Sequence, residues 1–208
     1  MDLYSFSQSS TAYRVRIALN LKGVACRVVP VDLTKGAQLD PAYAAVNPAR
    51  AVPALVTDDG QTLTQSMAIL TWLDAAYPTP PILPADPLER ARIEAAAQVM
   101  ACDVHPVNNL RIRKRLAAMG HTQDEVVAWM IDWMRDGFAA FQAMIRPDTP
   151  FAFGETPSLA DICLVPQLFN ARRWQMDMTA FSRLSEIEAR CLALPAFDSA
   201  RPENQKDV

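Results

Sequence analysis

A proline-rich stretch near the middle of the chain places the strongest constraint on how it can fold. Residues 78–87 read Pro-Thr-Pro-Pro-Ile-Leu-Pro-Ala-Asp-Pro and hold five of the 16 prolines in this 208-residue chain. Because proline lacks a backbone N–H and stiffens the chain, the interior of a helix or a sheet excludes such a run. We therefore predict a linker over residues 79–87, between an N-terminal domain of residues 1–78 and a C-terminal domain of residues 88–208.

The chain before the linker alternates between strand and helix patterns. Polar and apolar residues alternate over Asp2–Phe6, apolar residues then recur at helical spacing up to Gly23, and Cys26–Val31 is typical of a second strand. Two strands joined by a helix over so short a length predict a parallel βαβ unit. The turn sequence Asp58-Asp59-Gly60 predicts a hairpin, and Ser66 is suited to cap a following helix. The predicted order of the first domain is βαβ-ββα.

The chain after the linker has helical periodicity throughout. One long helix or two are expected over residues 88–116, and Thr122 with Glu125 and Ser158 with Asp161 each form a capping-box pattern that opens a further helix. The first of these two helices carries a stripe of large apolar residues that we expect to lie in the core: Val126, Trp129, Met130, Trp133, Met134, Phe138 and Phe141. The fold class is therefore α/β plus all-α.

Composition narrows the function classes. A net charge of −3 and a pI near 5.4 argue against nucleic acid or an anionic membrane as the main partner. The sequence has no apolar run of the ~18 residues that a membrane span needs and no secretory signal, so we expect a cytoplasmic protein. Its four cysteines are scattered singly and it has only two histidines, which makes a metal site improbable.

Three hydroxyl residues, Ser9, Ser10 and Thr11, lie where the first strand is predicted to turn into the first helix. Such a turn directs backbone N–H groups and a partial positive charge toward whatever binds there. The hydroxyls can donate hydrogen bonds to an anion, for instance a thiolate. The alternative is an ordinary helix N-cap without a ligand.

Several motifs together resemble the soluble glutathione transferases, and more narrowly their zeta class, the maleylacetoacetate and maleylpyruvate isomerases. The motifs that carry the resemblance span nearly the whole chain: Ser9-Ser10-Thr11, Arg14–Leu19, Asn47-Pro48, Val52–Leu55, Gln65-Ser66, Leu83-Pro84, His105–Asn109, Ser158–Asp161, Val165–Gln167 and Asn170–Trp174. The resemblance implies the glutathione transferase fold, with a thioredoxin-like first domain and an all-helical second domain.

The resemblance also implies a glutathione site, mostly in the first domain. Ser9, Ser10 and Thr11 would surround the sulfur and stabilise its thiolate as the catalytic residues. Pro53 would follow a cis peptide bond, which leaves the backbone of Val52 free to pair with the cysteinyl part of glutathione. The remaining residues implied for glutathione are Gln65 and Ser66 at the γ-glutamyl carboxylate, Gln38 at the glycyl end, and Asn108.

A maleyl-keto acid carries two carboxylates, and the resemblance assigns them to Arg173, Arg111, His105 and Asn109 of the helical domain. Arg111 could instead belong to a solvated basic face with its neighbours, and His105 could be a structural histidine. The zeta class commonly has an arginine just before the serines, where this chain has Gln8. We therefore expect Gln8 to affect how firmly the substrate is held, unless its side chain points away from the site.

The implied activity is glutathione-dependent cis–trans isomerisation of a maleyl-keto acid by a homodimer. Two alternatives stay open. One is a transferase or dehalogenase that conjugates glutathione to small electrophiles, and the other is a non-catalytic scaffold of the same fold.

Overall fold

The computed structural model describes residues 1–205, in which the chain divides into two compact units. The first unit comprises Met1–Pro81 and the described residues from Leu192 onward, and the second comprises Ile82–Cys191. The break after Pro81 lies within the proline-rich stretch. The return of the chain to the first unit at Leu192 differs from the predicted C-terminal domain of residues 88–208, whose last three residues lie outside the described part.

A four-stranded sheet forms the centre of the first unit. Its strands are β1 (Asp2–Ser5), β2 (Arg27–Pro30), β3 (Ala54–Val56) and β4 (Thr62–Thr64). They lie in the order β2-β1-β3-β4, with β1 parallel to β2 and antiparallel to β3, and β3 antiparallel to β4. The helices are α1 (Ser10–Leu21), α2 (Pro41–Val46) and α3 (Ser66–Ala76). The parallel βαβ unit and the hairpin are confirmed.

The last described segment packs against α1. Asn20 on α1 donates from its side-chain amide to Ala196 O and to Ser199 Oγ, both at 3.0 Å, and Arg16 donates to Ala200 O at 3.0 Å. Phe197 is fully buried there. These contacts join residues about 180 positions apart in the chain, so no local sequence pattern predicts them.

The second unit is built from helices. They are α4 (Pro87–Gln98), a segment with π-helical hydrogen bonds over Val99–Val104, α5 (His105–Val107), α6 (Leu110–Ala118), α7 (Gln123–Met144), α8 (Leu159–Arg173) and α9 (Ser182–Leu192). A short α10 (Pro195–Asp198) follows in the first unit. Both predicted capping boxes are present, at Thr122 with Glu125 and at Ser158 with Asp161. The predicted fold class is confirmed.

The stripe predicted on α7 is wrong at two positions. Met130, Met134, Phe138 and Phe141 are buried, but Trp129 and Trp133 are 38% and 39% exposed. They stand one turn apart at the edge of the buried face and contact each other, with ring centroids 5.8 Å apart. The indole N–H of Trp129 donates to Val107 O at 3.0 Å, which suits a side chain that has one apolar and one polar end.

Gly137 lets α7 approach the π-helical segment closely. A Cβ built on Gly137 would lie 2.1 Å from Cγ2 of Val104, which is buried in that segment. The Val104 methyl cannot swing aside cheaply because a β-branched side chain is stiff about its first torsion.

We therefore expect Gly137→Ala to lower the free energy of unfolding by roughly 1–2 kcal/mol, although alanine is the better helix former. Gly154→Ala is the matched control, since a Cβ there meets nothing within 4 Å. Urea titration measures both, and the loss caused by Gly137→Ala should disappear when it is measured relative to the Val104→Ala single variant. An equal loss in that background contradicts this packing argument.

Among residues 1–205, no helix is both long enough and apolar enough to cross a membrane.

Candidate active site

The three hydroxyl residues of the first unit lie where β1 turns into α1. Ser9 is the N-cap of α1, and its Oγ accepts a hydrogen bond from the backbone N–H of Ala12 at 3.3 Å. Ser10 is the first residue of the helix and is 5% exposed, while Ser9 and Thr11 are half-buried. The N-cap alternative is therefore true of Ser9, but capping uses only a lone pair of its oxygen and leaves its proton available.

A chain of hydrogen bonds runs from Ser9 through Thr11 to Val52. Ser9 Oγ and Thr11 Oγ1 are 2.9 Å apart, and Thr11 Oγ1 donates to Val52 O, also at 2.9 Å. A hydroxyl has one proton to donate. Because the proton of Thr11 is used on Val52, Ser9 must be the donor between the two hydroxyls. A ligand anion beside this turn could receive the proton of Ser9 by rotation of one hydroxyl, whereas Thr11 would have to give up its bond to the backbone.

The Val52-Pro53 peptide bond is cis, as the resemblance implies. The loop before it is anchored by two short hydrogen bonds to Ala51 O, from the hydroxyl of Tyr43 and the side-chain amide of Asn47, both 2.6 Å. Burial raises the pKa of Tyr43 to about 12, so its hydroxyl stays a donor near neutral pH. Within the described residues the N–H of Val52 forms no hydrogen bond, which leaves it free to pair with an extended peptide.

The N-terminus of α3 has no side-chain cap. The N-cap residue Gln65 has a φ of 66°, and its exposed side chain makes no capping hydrogen bond. Ser66 begins the helix and is 5% exposed. Its Oγ accepts a hydrogen bond of 3.3 Å from Nη1 of Arg14, a fully buried arginine on α1. The first turn of α3 thus offers uncapped backbone N–H groups and a hydroxyl proton to an anion.

Gln38 and Gln8 are the other predicted residues of this unit. Gln38 lies in a short 3₁₀ helix, and its Oε1 is buried without a hydrogen-bond partner among the described residues. Gln8 is exposed in the turn directly before Ser9. Both lie on loops.

In the second unit, the predicted residues His105, Asn108, Asn109 and Arg111 lie around the junction of α5 and α6. Asn109 caps α6 by accepting from the N–H of Arg111 at 3.0 Å, and its side-chain nitrogen lies 3.4 Å from Nε2 of His105. Asn108 donates to Met130 O at 3.3 Å, and its Oδ1 is buried without a partner in the described chain. The side chain of Arg111 is exposed, as expected of a solvated basic face.

Arg113, which no sequence motif pointed to, lies against the same tryptophan as the predicted Arg173. The guanidinium carbons of Arg113 and Arg173 lie 5.1 and 5.2 Å from the ring centroid of Trp174, within the range of cation–π attraction. Burial, and secondarily the charge of Arg173, lower the pKa of Arg113. Neither guanidinium is paired with a carboxylate in the described residues. Two cations against one tryptophan, without a counter-ion in the described residues, can attract an anion.

Comparison with known proteins identifies the family. Residues 3–81 match the glutathione S-transferase N-terminal domain, and residues 125–192 match the glutathione S-transferase C-terminal domain. A maleylpyruvate isomerase of Ralstonia sp is 44% identical over 211 residues, which cover 100% of this chain and 99% of that protein.

Two solved structures extend the comparison. The holo structure of a maleylpyruvate isomerase, described as a bacterial zeta-class glutathione S-transferase, has a TM-score of 0.97 at 44% identity over 100% of this chain and 99% of that one. The maleylacetoacetate isomerase of Methylobacterium extorquens AM1, with bound malonate and glutathione, has a TM-score of 0.95 at 36% identity over 99% of this chain and 98% of that one. The chain belongs to the glutathione S-transferase family and, within it, to the zeta class.

Proposed function

We propose that this protein is a glutathione-dependent isomerase that converts a maleyl-keto acid, maleylpyruvate or maleylacetoacetate, into its fumaryl isomer. The observation that carries the proposal is the hydrogen-bonded chain of Ser9, Thr11 and Val52, in which the proton that Ser9 donates to Thr11 can be redirected to an anion by rotation of one hydroxyl. The full-length likeness to enzymes named for this reaction supports the choice of substrate class.

Several groups of the first unit fit glutathione. The unbonded N–H of Val52 can pair with its cysteinyl backbone, and the uncapped N-terminus of α3, with Gln65 and Ser66, can receive its γ-glutamyl carboxylate. The orphaned Oε1 of Gln38 can accept a hydrogen bond from the amide N–H of its glycyl residue. When bound, glutathione supplies a thiol whose sulfur adds reversibly to the double bond and so permits rotation about it.

The protein's contribution at the sulfur is electrostatic. A free thiol has a pKa of about 8.5 and is mostly protonated at neutral pH. Lowering that value by about two units requires ~2.7 kcal/mol of preferential stabilisation of the anion. A hydrogen bond from Ser9 to the anion, together with the N-terminus of α1, can supply this amount. The hydrogen bond from Thr11 to Val52 O holds the Thr11 hydroxyl in position and thereby orients the hydroxyl of Ser9.

The helical unit is proposed to hold the substrate. Arg173 and Arg113, both against Trp174, offer two cations that can bind a carboxylate and stabilise negative charge on the neighbouring ketone oxygen. Arg111, His105 and Asn109 remain candidates on the resemblance, although Asn109 already uses its carbonyl oxygen as a helix cap. We include Arg113 because burial beside a second arginine is costly without an anion.

The proposal is tested by following the absorbance of maleylpyruvate and maleylacetoacetate with glutathione at catalytic concentration. Turnover of many substrate molecules per glutathione is expected. If neither is isomerised while a chloroaromatic substrate consumes glutathione stoichiometrically, the protein is a conjugating transferase instead. Absence of glutathione binding up to millimolar concentration in calorimetry leaves only the scaffold. We also propose a cytoplasmic homodimer, on the resemblance to the family.

Gln8→Arg is expected to raise kcat/KM for a maleyl dicarboxylate by about two- to fivefold, because an exposed ion pair is worth up to about 1 kcal/mol. Gln8 is exposed next to Ser9, so an arginine at this position would place a full positive charge close to the proposed position of the glutathione sulfur. The gain should shrink with added salt.

Gln8→Glu is the matched control and should lower the same ratio. Unchanged values in both variants would mean that the side chain at position 8 points away from the substrate.

A further inference from the structure

Arg14 and Arg16 are two residues apart on α1 and differ in how many of their side-chain donor atoms are hydrogen-bonded. Arg16 is saturated: it donates to Ala200 O, Ser5 Oγ, Phe6 O and Ser7 O at 2.9 to 3.3 Å. Arg14 is 1% exposed, and its Nε and Nη2 are buried without a hydrogen-bond partner among the described residues. Nor does any carboxylate in this part of the chain pair with it. A buried guanidinium with two orphaned donor atoms is expensive unless an anion approaches it.

The guanidinium of Arg14 lies at the first turn of α3. Its Nη1 donates to Ser66 Oγ at 3.3 Å and lies 3.9 Å from the sulfur of Met67. The N-terminus of α3 itself carries a partial positive charge and has no side-chain cap. Two positive features of independent origin thus meet at Ser66. Because Ser66 Oγ accepts from Arg14, its own proton is left to donate, and the cation strengthens it as a donor.

We propose that Arg14 is a positioning residue for glutathione: it supplies the buried positive charge beneath the γ-glutamyl carboxylate and acts on that carboxylate through the hydroxyl of Ser66. This rests on the proposed function, which places glutathione in this unit. It extends that function because Arg14, a buried residue, would determine the preference for a ligand that carries the γ-glutamyl carboxylate. The uncompensated charge lowers the stability of the ligand-free protein, and binding of the anion offsets that cost.

The test compares two peptides by calorimetry: glutathione, and 4-aminobutanoyl-cysteinylglycine, which lacks only the α-carboxylate of the γ-glutamyl residue. The wild-type protein should bind glutathione about tenfold or more tightly than the analogue, as expected for a charge-assisted contact. In Arg14→Met this preference should fall toward one, through loss of affinity for glutathione and not for the analogue. Arg14→Lys, which keeps the charge, should retain much of the preference.

Stability provides the second readout, with Arg16→Met as the matched control. Arg14→Met should leave the urea midpoint of the ligand-free protein unchanged or higher, because it removes orphaned donors. Arg16→Met should lower it clearly while leaving the peptide preference intact, because it strands four acceptors. The kcat of Arg14→Met at saturating glutathione should stay near the wild-type value while KM for glutathione rises.

Three results would overturn the inference. The first is a wild-type preference for glutathione retained in Arg14→Met. The second is a loss of stability in Arg14→Met as large as in Arg16→Met, or failure of Arg14→Met to fold, which would mean that the charge of Arg14 is compensated within the protein and stabilises the fold. The third is a wild-type protein that binds neither peptide, which overturns the proposed function as well. The first two leave the proposed function standing.

Discussion

Replacing Ser9 by alanine is expected to lower kcat/KM for a maleyl-keto acid by roughly ten- to a hundredfold, because a hydrogen bond to a charged group contributes about 1.5–3 kcal/mol. Ser9 is the hydroxyl of this turn whose proton can be redirected to a thiolate, since the proton of Thr11 is held by Val52 O. The absorbance of the bound thiolate should fall in parallel.

Thr11→Ala should cost less activity than Ser9→Ala, because it removes the group that orients Ser9 and not the donor itself. Thr11→Ser is the control: it keeps the hydroxyl that links Ser9 to Val52 and should remain close to the wild-type rate. A Ser9→Ala enzyme with normal rate and normal thiolate absorbance would transfer the role to Ser10 or Thr11.

The largest expected effect on stability comes from Asp161, the second member of the capping box that opens α8. Its carboxylate is fully buried and accepts three hydrogen bonds of 2.8 Å, from the backbone N–H of Ala152, the backbone N–H of Ser158 and the hydroxyl of Ser158. Asp161→Ala strands two buried N–H groups, each at roughly 1–3 kcal/mol, so the free energy of unfolding should fall by about 2–6 kcal/mol.

The capping box of α7 is the matched control for Asp161. Glu125 accepts from the backbone N–H of Thr122 at 2.7 Å in the same arrangement, but its side chain is exposed. Glu125→Ala should therefore cost much less, because water can satisfy the N–H groups that it leaves behind. Equal losses in the two variants, measured by urea unfolding, would show that burial does not set the strength of this motif.

The two boxes also differ in their acid–base behaviour. Burial raises the pKa of Asp161, whereas the hydrogen bond from the backbone of Thr122 lowers that of Glu125. The contribution of Glu125 to stability is therefore present above its unfolded pKa and is lost as the pH falls through its folded pKa. The same sequence pattern thus has opposite electrostatic consequences in the two helices.

The sequence by itself determined the features that depend on residues close together in the chain. The capping boxes at Thr122 and Ser158, the hairpin turn at Asp58–Gly60 and the parallel βαβ unit follow from patterns a few residues long, because caps, turns and periodicity are local. The family was readable for a related reason, since its motifs are short and distributed along the chain. The resemblance also led to the cis bond before Pro53.

Only the tertiary structure decided which of several similar residues carries an interaction. Arg14 and Arg16 look alike in sequence, yet contacts with Ser5–Ser7 and with Ala200 of the C-terminal segment saturate Arg16, whereas two donor atoms of Arg14 have no partner among the described residues. In the basic run of α6, Arg111 is exposed, whereas Arg113 lies on Trp174, which is about 60 residues away in the chain.

The same holds for Trp129 and Trp133, whose spacing matches the buried stripe of α7 but whose side chains lie at its exposed edge. Periodicity gives the direction of a side chain to within about a third of a turn, and the packed neighbours, distant in sequence, decide whether that direction is covered.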